Sequence, residues 1–151
     1  AKDLLPPFEP GAYVVNTDTS KEAGSHWIAL YATPTRVEYF DSYGGDPLPL
    51  LKRWAKGKKW RSNPVPLQSP LSSVCGQYCI YYLLHRARGI SLATMLLDFG
   101  KDVDLNDQMV YDFIDDRYGI EGLKLLDTEG LITQLAKARI AAPSIRKLMS
   151  G

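Results

Sequence analysis

Residues 68–86, QSPLSSVCGQYCIYYLLHR, decide how the rest of the chain is read. Two serines and a valine lead into Cys75 and Gly76, and an apolar and aromatic run follows. Ile80, Leu83 and Leu84, with Tyr81 and Tyr82, recur at helical spacing, so the second half reads as a buried helix. Ser72 or Ser73 is the expected N-cap, which places Cys75 in the first turn. Unpaired backbone N–H groups there favour negative charge and ease the loss of a thiol proton. Gly76 leaves room for a substrate backbone. A cysteine opening a buried helix is what a thiolate nucleophile requires.

Such a nucleophile needs a base, and the chain has 2 histidines. His85 lies ten residues along the same helix, about 15 Å away at ~1.5 Å rise per residue, and cannot reach Cys75. His26 opens HWIALYA, an apolar run suited to a buried strand. The next strand-like run, RVEYFD, ends in Asp41 before the turn signal SYGGDP. If these strands pair as neighbours, Asp41 lies beside His26 and orients its imidazole. Gln68, seven residues before Cys75, offers an amide donor. With the Cys75 N–H it could bind the oxyanion of an acyl-transfer intermediate.

The order His-Trp, Asp at a strand end, Gln, and Cys-Gly-x-Tyr-x-Cys resembles the adenovirus-type cysteine proteases, of the same clan as the SUMO-specific proteases. Papain has the opposite order of cysteine and histidine. The resemblance covers about residues 10 to 118. Ubiquitin-like-protein proteases usually carry Asp just before the cysteine. Val74 stands there, which favours the viral branch or the related proteases of virophages and large virus-like DNA transposons. The resemblance implies catalytic His26, Asp41, Gln68 and Cys75, and cleavage of capsid or virion precursors near glycine. A deconjugase of ubiquitin-like modifiers is the alternative enzyme. A nucleic-acid or capsid binding module keeping the fold is the non-enzyme alternative. No cofactor is required by these residues, although the family brings a peptide or DNA activator into view. The adenoviral peptide can attach through a disulfide to a cysteine between the triad acid and the glutamine. This chain has no cysteine before Cys75, so that route is closed.

Length and composition agree. The 151 residues suit a single domain, 45% apolar, with a net charge of +1 and no global polyanion signal. Neither a signal peptide nor a membrane-spanning apolar run is found. Cys75 and Cys79 make no secreted disulfide framework, so a reducing interior is expected. Cys79 reads as a small buried thiol, and two Cys with two distant His do not match a zinc site. The expected protein is a monomer acting on protein substrates in the virion and the host cell interior, cytoplasm or nucleus, without membrane attachment.

The expected fold is α+β: a small mixed or antiparallel sheet packed against helices, the Cys75 helix central. Residues 1 to 11 are an extended lead-in and 12–16 a first strand. Trp27 is expected in the core, and also as a wall orienting His26. Residues 47–61 mix a short helix with Lys52, Arg53, Lys56, Lys58, Lys59 and Arg61, either a solvated basic face or a nucleic-acid contact. NPVPLQSP is a strand or extended segment delivering Gln68. Residues 89–100 read as a second helix, and His85 as a helix-surface or interface residue.

DVDLNDQMVYDF fails as a calcium loop, because Asp107 stands where glycine should be and Phe113 where glutamate should be. A helix capped by Asn106 or Asp104 is expected instead. Leu105, Met109, Val110, Phe113 and Ile114 would face the core, and Asp107, Asp112, Asp115 and Asp116 would be solvated. The tail, 119–151, carries an amphipathic helix over 131–142. It either completes the core or docks in cis to hold His26 and Cys75 in their active arrangement.

Overall fold

The computed structural model describes residues 1–118. The tail helix and its docking lie outside them. A 3₁₀ turn, Lys2–Leu4, precedes β1 (Gly11–Asn16), β2 (Trp27–Ala32) and β3 (Arg36–Phe40). There follow α1 (Pro49–Trp54), β4 (Lys59–Ser62), α2 (Cys75–Ala87), α3 (Leu92–Leu96) and α4 (Val103–Tyr118). The fold is α+β. Its sheet runs in the order β1-β2-β3-β4; β3 pairs parallel to β4, and the other pairs are antiparallel.

Alternation along the strands sends side chains to two cores. Ala12, Ala29 and Phe40 join Tyr78, Cys79, Tyr82, Leu92 and Val110 on the α2–α4 side. Tyr13, Val15, Ile28, Leu30 and Tyr39 point the other way, onto Leu51, Ala55 and the lead-in residues Leu5 and Phe8. Trp27 packs against the first core, as expected. Phe40 stacks on Tyr82 with centroids 4.7 Å apart, seating α2 across the centre of the sheet.

Several local expectations are corrected. The N-cap of α2 is Val74 without a side-chain cap bond, not Ser72 or Ser73. Ser72 Oγ instead donates to Ser69 O and accepts from Gln68, a competing loop bond. Within 89–100 only Leu92–Leu96 is helical, started by Ser91, whose hydroxyl accepts from Thr94 N–H. Asp102 caps α4, accepting from the N–H groups of Asp104 and Leu105. Leu105 is 67% exposed, while Val110 and Ile114 are buried as expected. Asn106 is buried rather than capping. β4 was not anticipated: it has one apolar residue, Trp60, and exists by pairing with β3, Val37 opposite Trp60.

Candidate active site

β2 begins and β3 ends at the same end of the sheet. Their register, Ala29 opposite Phe40, leaves His26 just before one strand and Asp41 just after the other. His26 Nε2 lies 2.7 Å from Asp41 Oδ1, with the two side chains 15% and 8% exposed. Asp41 is held from several directions. Its Oδ1 accepts from Tyr43 N–H at 2.8 Å, its N–H donates to Asn63 Oδ1 at 3.0 Å, and Asn63 Nδ2 donates to its carbonyl at 2.6 Å. A Cβ at Gly45 would stand 2.6 Å from Asp41 Oδ2, so the SYGG turn wraps the carboxylate as only glycine permits.

With Nε2 committed to Asp41, the second ring nitrogen is the one open to chemistry. His26 Nδ1 is buried without a partner at standard hydrogen-bond geometry. Burial opposes protonation of this ring most strongly. The hydrogen bond to Asp41, the interaction with the Cys75 thiol and the charges of both outweigh it, and together they raise the imidazole from 6.5 to about 9. Cys75 is the first residue of α2, 5% exposed and reduced. Cys79, one turn on, has its thiol pushed well above the ordinary value by burial, which makes it inert.

Gln68 is 1% exposed. Its segment is extended, and the N–H groups of Leu67 and Gln68 both donate to Ser42 O. Gln68 Oε1 accepts from Ser42 Oγ at 2.6 Å, and Nε2 donates to Ser72 O and Oγ, both at 3.0 Å, and toward Tyr43 OH at 3.3 Å. Gln68 is therefore tied to Ser72, which stands three residues short of Cys75 on the loop that enters α2.

Tyr43 and Asn63 were missed from the sequence. Tyr43 lies over the His26 ring with centroids 4.6 Å apart, and its hydroxyl donates to Ser72 O at 3.1 Å. Its place in the turn directly after Asp41 was the available signal. Asn63 opens a proline-rich segment and carried none. A groove of about 550 Å³ opens at the site, lined by Leu4, Glu22, Trp27, Tyr43, Ser73 and Cys75 among others.

Two further expectations are corrected. Of the two settings expected for His85, surface or interface, the surface fails: its side chain is 13% exposed, its Nδ1 lies 2.7 Å from Tyr81 O, and its ring packs on Tyr81 and on Phe113 of α4. Asp107 is not solvated, since it accepts from Tyr78 OH at 2.8 Å. Of the basic residues, Lys52, Arg53, Lys56, Lys59 and Arg61 are exposed. Lys58 instead donates to Pro34 O at 2.7 Å and covers the Phe8 ring. Trp54 and Trp60 pack inward. Among the described residues, no group of three or more His, Cys, Asp or Glu is placed to hold a metal ion. No described helix is long and apolar enough to cross a membrane.

No protein-family model matches the chain. Two curated proteins are similar to it: the SUMO-1 cysteine protease of African swine fever virus, Warthog isolate, and the cysteine protease of the Badajoz strain. Each is 27% identical over 95 residues, covering 53% of this chain and 35% of the relative. The chain thus spans about a third of the length of the curated relatives it matches, 35%. A crystal structure of the African swine fever virus protease, in selenomethionine form, aligns with a TM-score of 0.48 at 23% identity over 66% of this chain and 42% of that one.

Proposed function

We propose that this chain carries a cysteine peptidase domain with Cys75 as nucleophile and His26 as base. The observation that carries the reading is the divided imidazole: Nε2 held by Asp41, Nδ1 buried without a partner, and the thiol that opens α2 beside the ring. The similarity to two viral cysteine proteases supports it.

In this scheme the Cys75 proton passes to His26 Nδ1 and the sulfur attacks the scissile carbonyl. The resulting oxyanion is met by the Cys75 N–H and the Gln68 amide, which exchanges a contact with the Ser72 loop for the new charge. Collapse breaks the C–N bond, and His26 Nδ1 gives its proton to the leaving amine. Water then attacks the thioester and His26 takes up its proton, regenerating the thiol. Asp41 holds Nδ1 toward the sulfur and stabilises the imidazolium.

For the substrate, the reading is a protein cleaved at a glycine-containing site. One relative is named for SUMO-1, which favours a ubiquitin-like conjugate over a virion precursor. The two share the chemistry and separate in one assay. Cys75→Ala and wild type are tested on a fluorogenic ubiquitin-like substrate and on a glycine-containing capsid-precursor peptide. Cleavage of either by wild type alone supports the peptidase, and the preferred substrate assigns the class. Equal cleavage by Cys75→Ala removes the assigned nucleophile. The exposed cations Lys52, Arg53, Lys56, Lys59 and Arg61 form the part of this reading that concerns DNA. Contact there would weaken steeply with salt.

A further inference from the structure

Three polar side chains with no part in the acyl-transfer scheme converge behind the Gln68 segment. Tyr78 stands three residues past Cys75 on α2 and is 0% exposed. Its hydroxyl donates to Asp107 Oδ1 at 2.8 Å and also lies 3.1 Å from Leu67 O. Asn106 Nδ2 donates to the same Leu67 carbonyl and to Gly100 O, each at 3.0 Å, while Asn106 Oδ1 accepts from Gly100 N–H at 2.9 Å. Ser69 N–H faces both oxygens of Asp107 at 3.4 Å. The peptide groups before and after Gln68 are therefore both held from α4, and the same carboxylate is tied to the helix that Cys75 opens.

We infer that Tyr78, Asn106 and Asp107 are positioning residues that set the spacing between Cys75 and Gln68 and so control turnover. The inference rests on the peptidase reading with Gln68 as an oxyanion donor. The physical argument is rigidity. A helix moves Cys75 and Tyr78 as one body, so a bond from Tyr78 through Asp107 to the Gln68 segment fixes donor against nucleophile. Gln68 alone cannot do this, because its own amide is held by Ser72 and Tyr43 on the groove side. Burial and the Asp107 hydrogen bond raise the Tyr78 hydroxyl well above its ordinary value, so it stays a donor throughout the working pH range. A misplacement of about 1 Å at such a site can cost on the order of 10²-fold in rate.

The test compares wild type with Tyr78→Phe, which keeps the ring, and with Asp107→Ala, in wild-type and Gln68→Ala backgrounds. It measures kcat and KM on whichever substrate wild type cleaves, and the rate at which iodoacetamide alkylates Cys75. The expected result is a kcat lowered roughly 10- to 100-fold with KM changed by less than about twofold. Alkylation should be unchanged, because the His26–Asp41–Cys75 geometry is not touched. In the Gln68→Ala background the same changes should cost less than about twofold further, the positioned donor being gone. A general loosening of the fold would slow alkylation in step with kcat and would multiply with Gln68→Ala; either result overturns the inference. If Asp107→Ala does not fold, Asp107→Asn keeps the volume and faces the same two outcomes. A wild type that cleaves nothing and alkylates like a free thiol removes the peptidase reading and this inference with it. A wild type that cleaves, with losses that multiply, removes only the positioning role.

Discussion

The two ends of α2 each carry a histidine beside an aspartate, and they differ in what is left over. At the start, His26 spends Nε2 on Asp41 at 2.7 Å and keeps a buried Nδ1 unpartnered near Cys75. Toward the end, His85 spends Nδ1 on the Tyr81 carbonyl of its own helix, and Nε2 lies 3.8 Å from Asp98, which already accepts from Tyr81 OH. Beside it Glu38, 5% exposed, accepts from the Tyr82 hydroxyl at 2.8 Å and forms an ion pair with Arg86, whose Nε lies 2.9 Å away without hydrogen-bond alignment. Arg86 in turn donates to Ile90 O and covers the Tyr31 ring. One end is a polar network of paired charges and hydroxyls that ties helix to sheet. The other leaves an imidazole nitrogen facing the Cys75 thiol. The difference lies in what faces the spare nitrogen: a thiol at the start of α2, and ring and carboxylate neighbours at its end.

Mutation at each end should expose that difference. His26→Ala should lower kcat/KM by about 10²–10⁴-fold, the usual worth of a positioned general base, while His85→Ala leaves cleavage per folded molecule unchanged. Peptidase kinetics on equal folded concentrations read this directly, and similar losses for both would erase the distinction. At the end of α2, Glu38→Ala leaves Arg86 without its buried partner. Denaturant unfolding should show a loss of about 3–5 kcal/mol with kcat retained.

A smaller effect concerns pH. The folded His26 titrates near 9, above its ordinary 6.5, so its protonation stabilises the fold fully below pH 6.5 and ceases to do so as pH rises through 9. A histidine NMR titration should find that midpoint, and the basic limb of cleavage should follow it as the leaving-group proton is lost. Asp41→Asn should lower the midpoint by roughly 1–3 units and reduce kcat less than His26→Ala does. An unmoved midpoint would mean that Asp41 is not what holds the charge.

Gly45→Ala should cost about 1–3 kcal/mol and part of the activity, because the new Cβ meets Asp41 Oδ2 at 2.6 Å. Thermal unfolding and kcat together test this; stability lost with kcat intact would detach the turn from the site. The smallest effect belongs to Leu105→Asp. At 67% exposure it should fall within about 0.5 kcal/mol of wild type, and a larger loss would return Leu105 to the core.

Legibility followed the range of the interaction. The long apolar runs at 27–32 and 80–84 announced β2 and α2, since each element buries enough of its own residues to leave a period in the sequence. β4 left none, because four residues with one tryptophan become a strand only against Val37 and its neighbours. Neither α2 nor α4 is capped by the residue its sequence suggested. At α2 the nearby serines cap nothing, Ser72 being bonded to Ser69 O and Gln68, and at α4 the choice among Asp102, Asp104 and Asn106 depended on bonds made elsewhere. Asn106 was such a residue, drawn to Leu67 O and Gly100 rather than to its own helix.

The sequence by itself determined that Cys75 opens a buried helix, that His85 cannot reach it, and that His26 and Asp41 stand at strand ends. Those are consequences of periodicity and rise per residue, which act within one element. The tertiary structure decided which imidazole nitrogen is spent and which is spare, that Tyr43 covers the ring, and that Asn63 and Gly45 hold Asp41. It also decided that α4 reaches across to the Gln68 segment through Asn106 and Asp107. Each of these depends on the direction of a hydrogen bond between residues distant along the chain, and direction is set only when the strands and helices have packed.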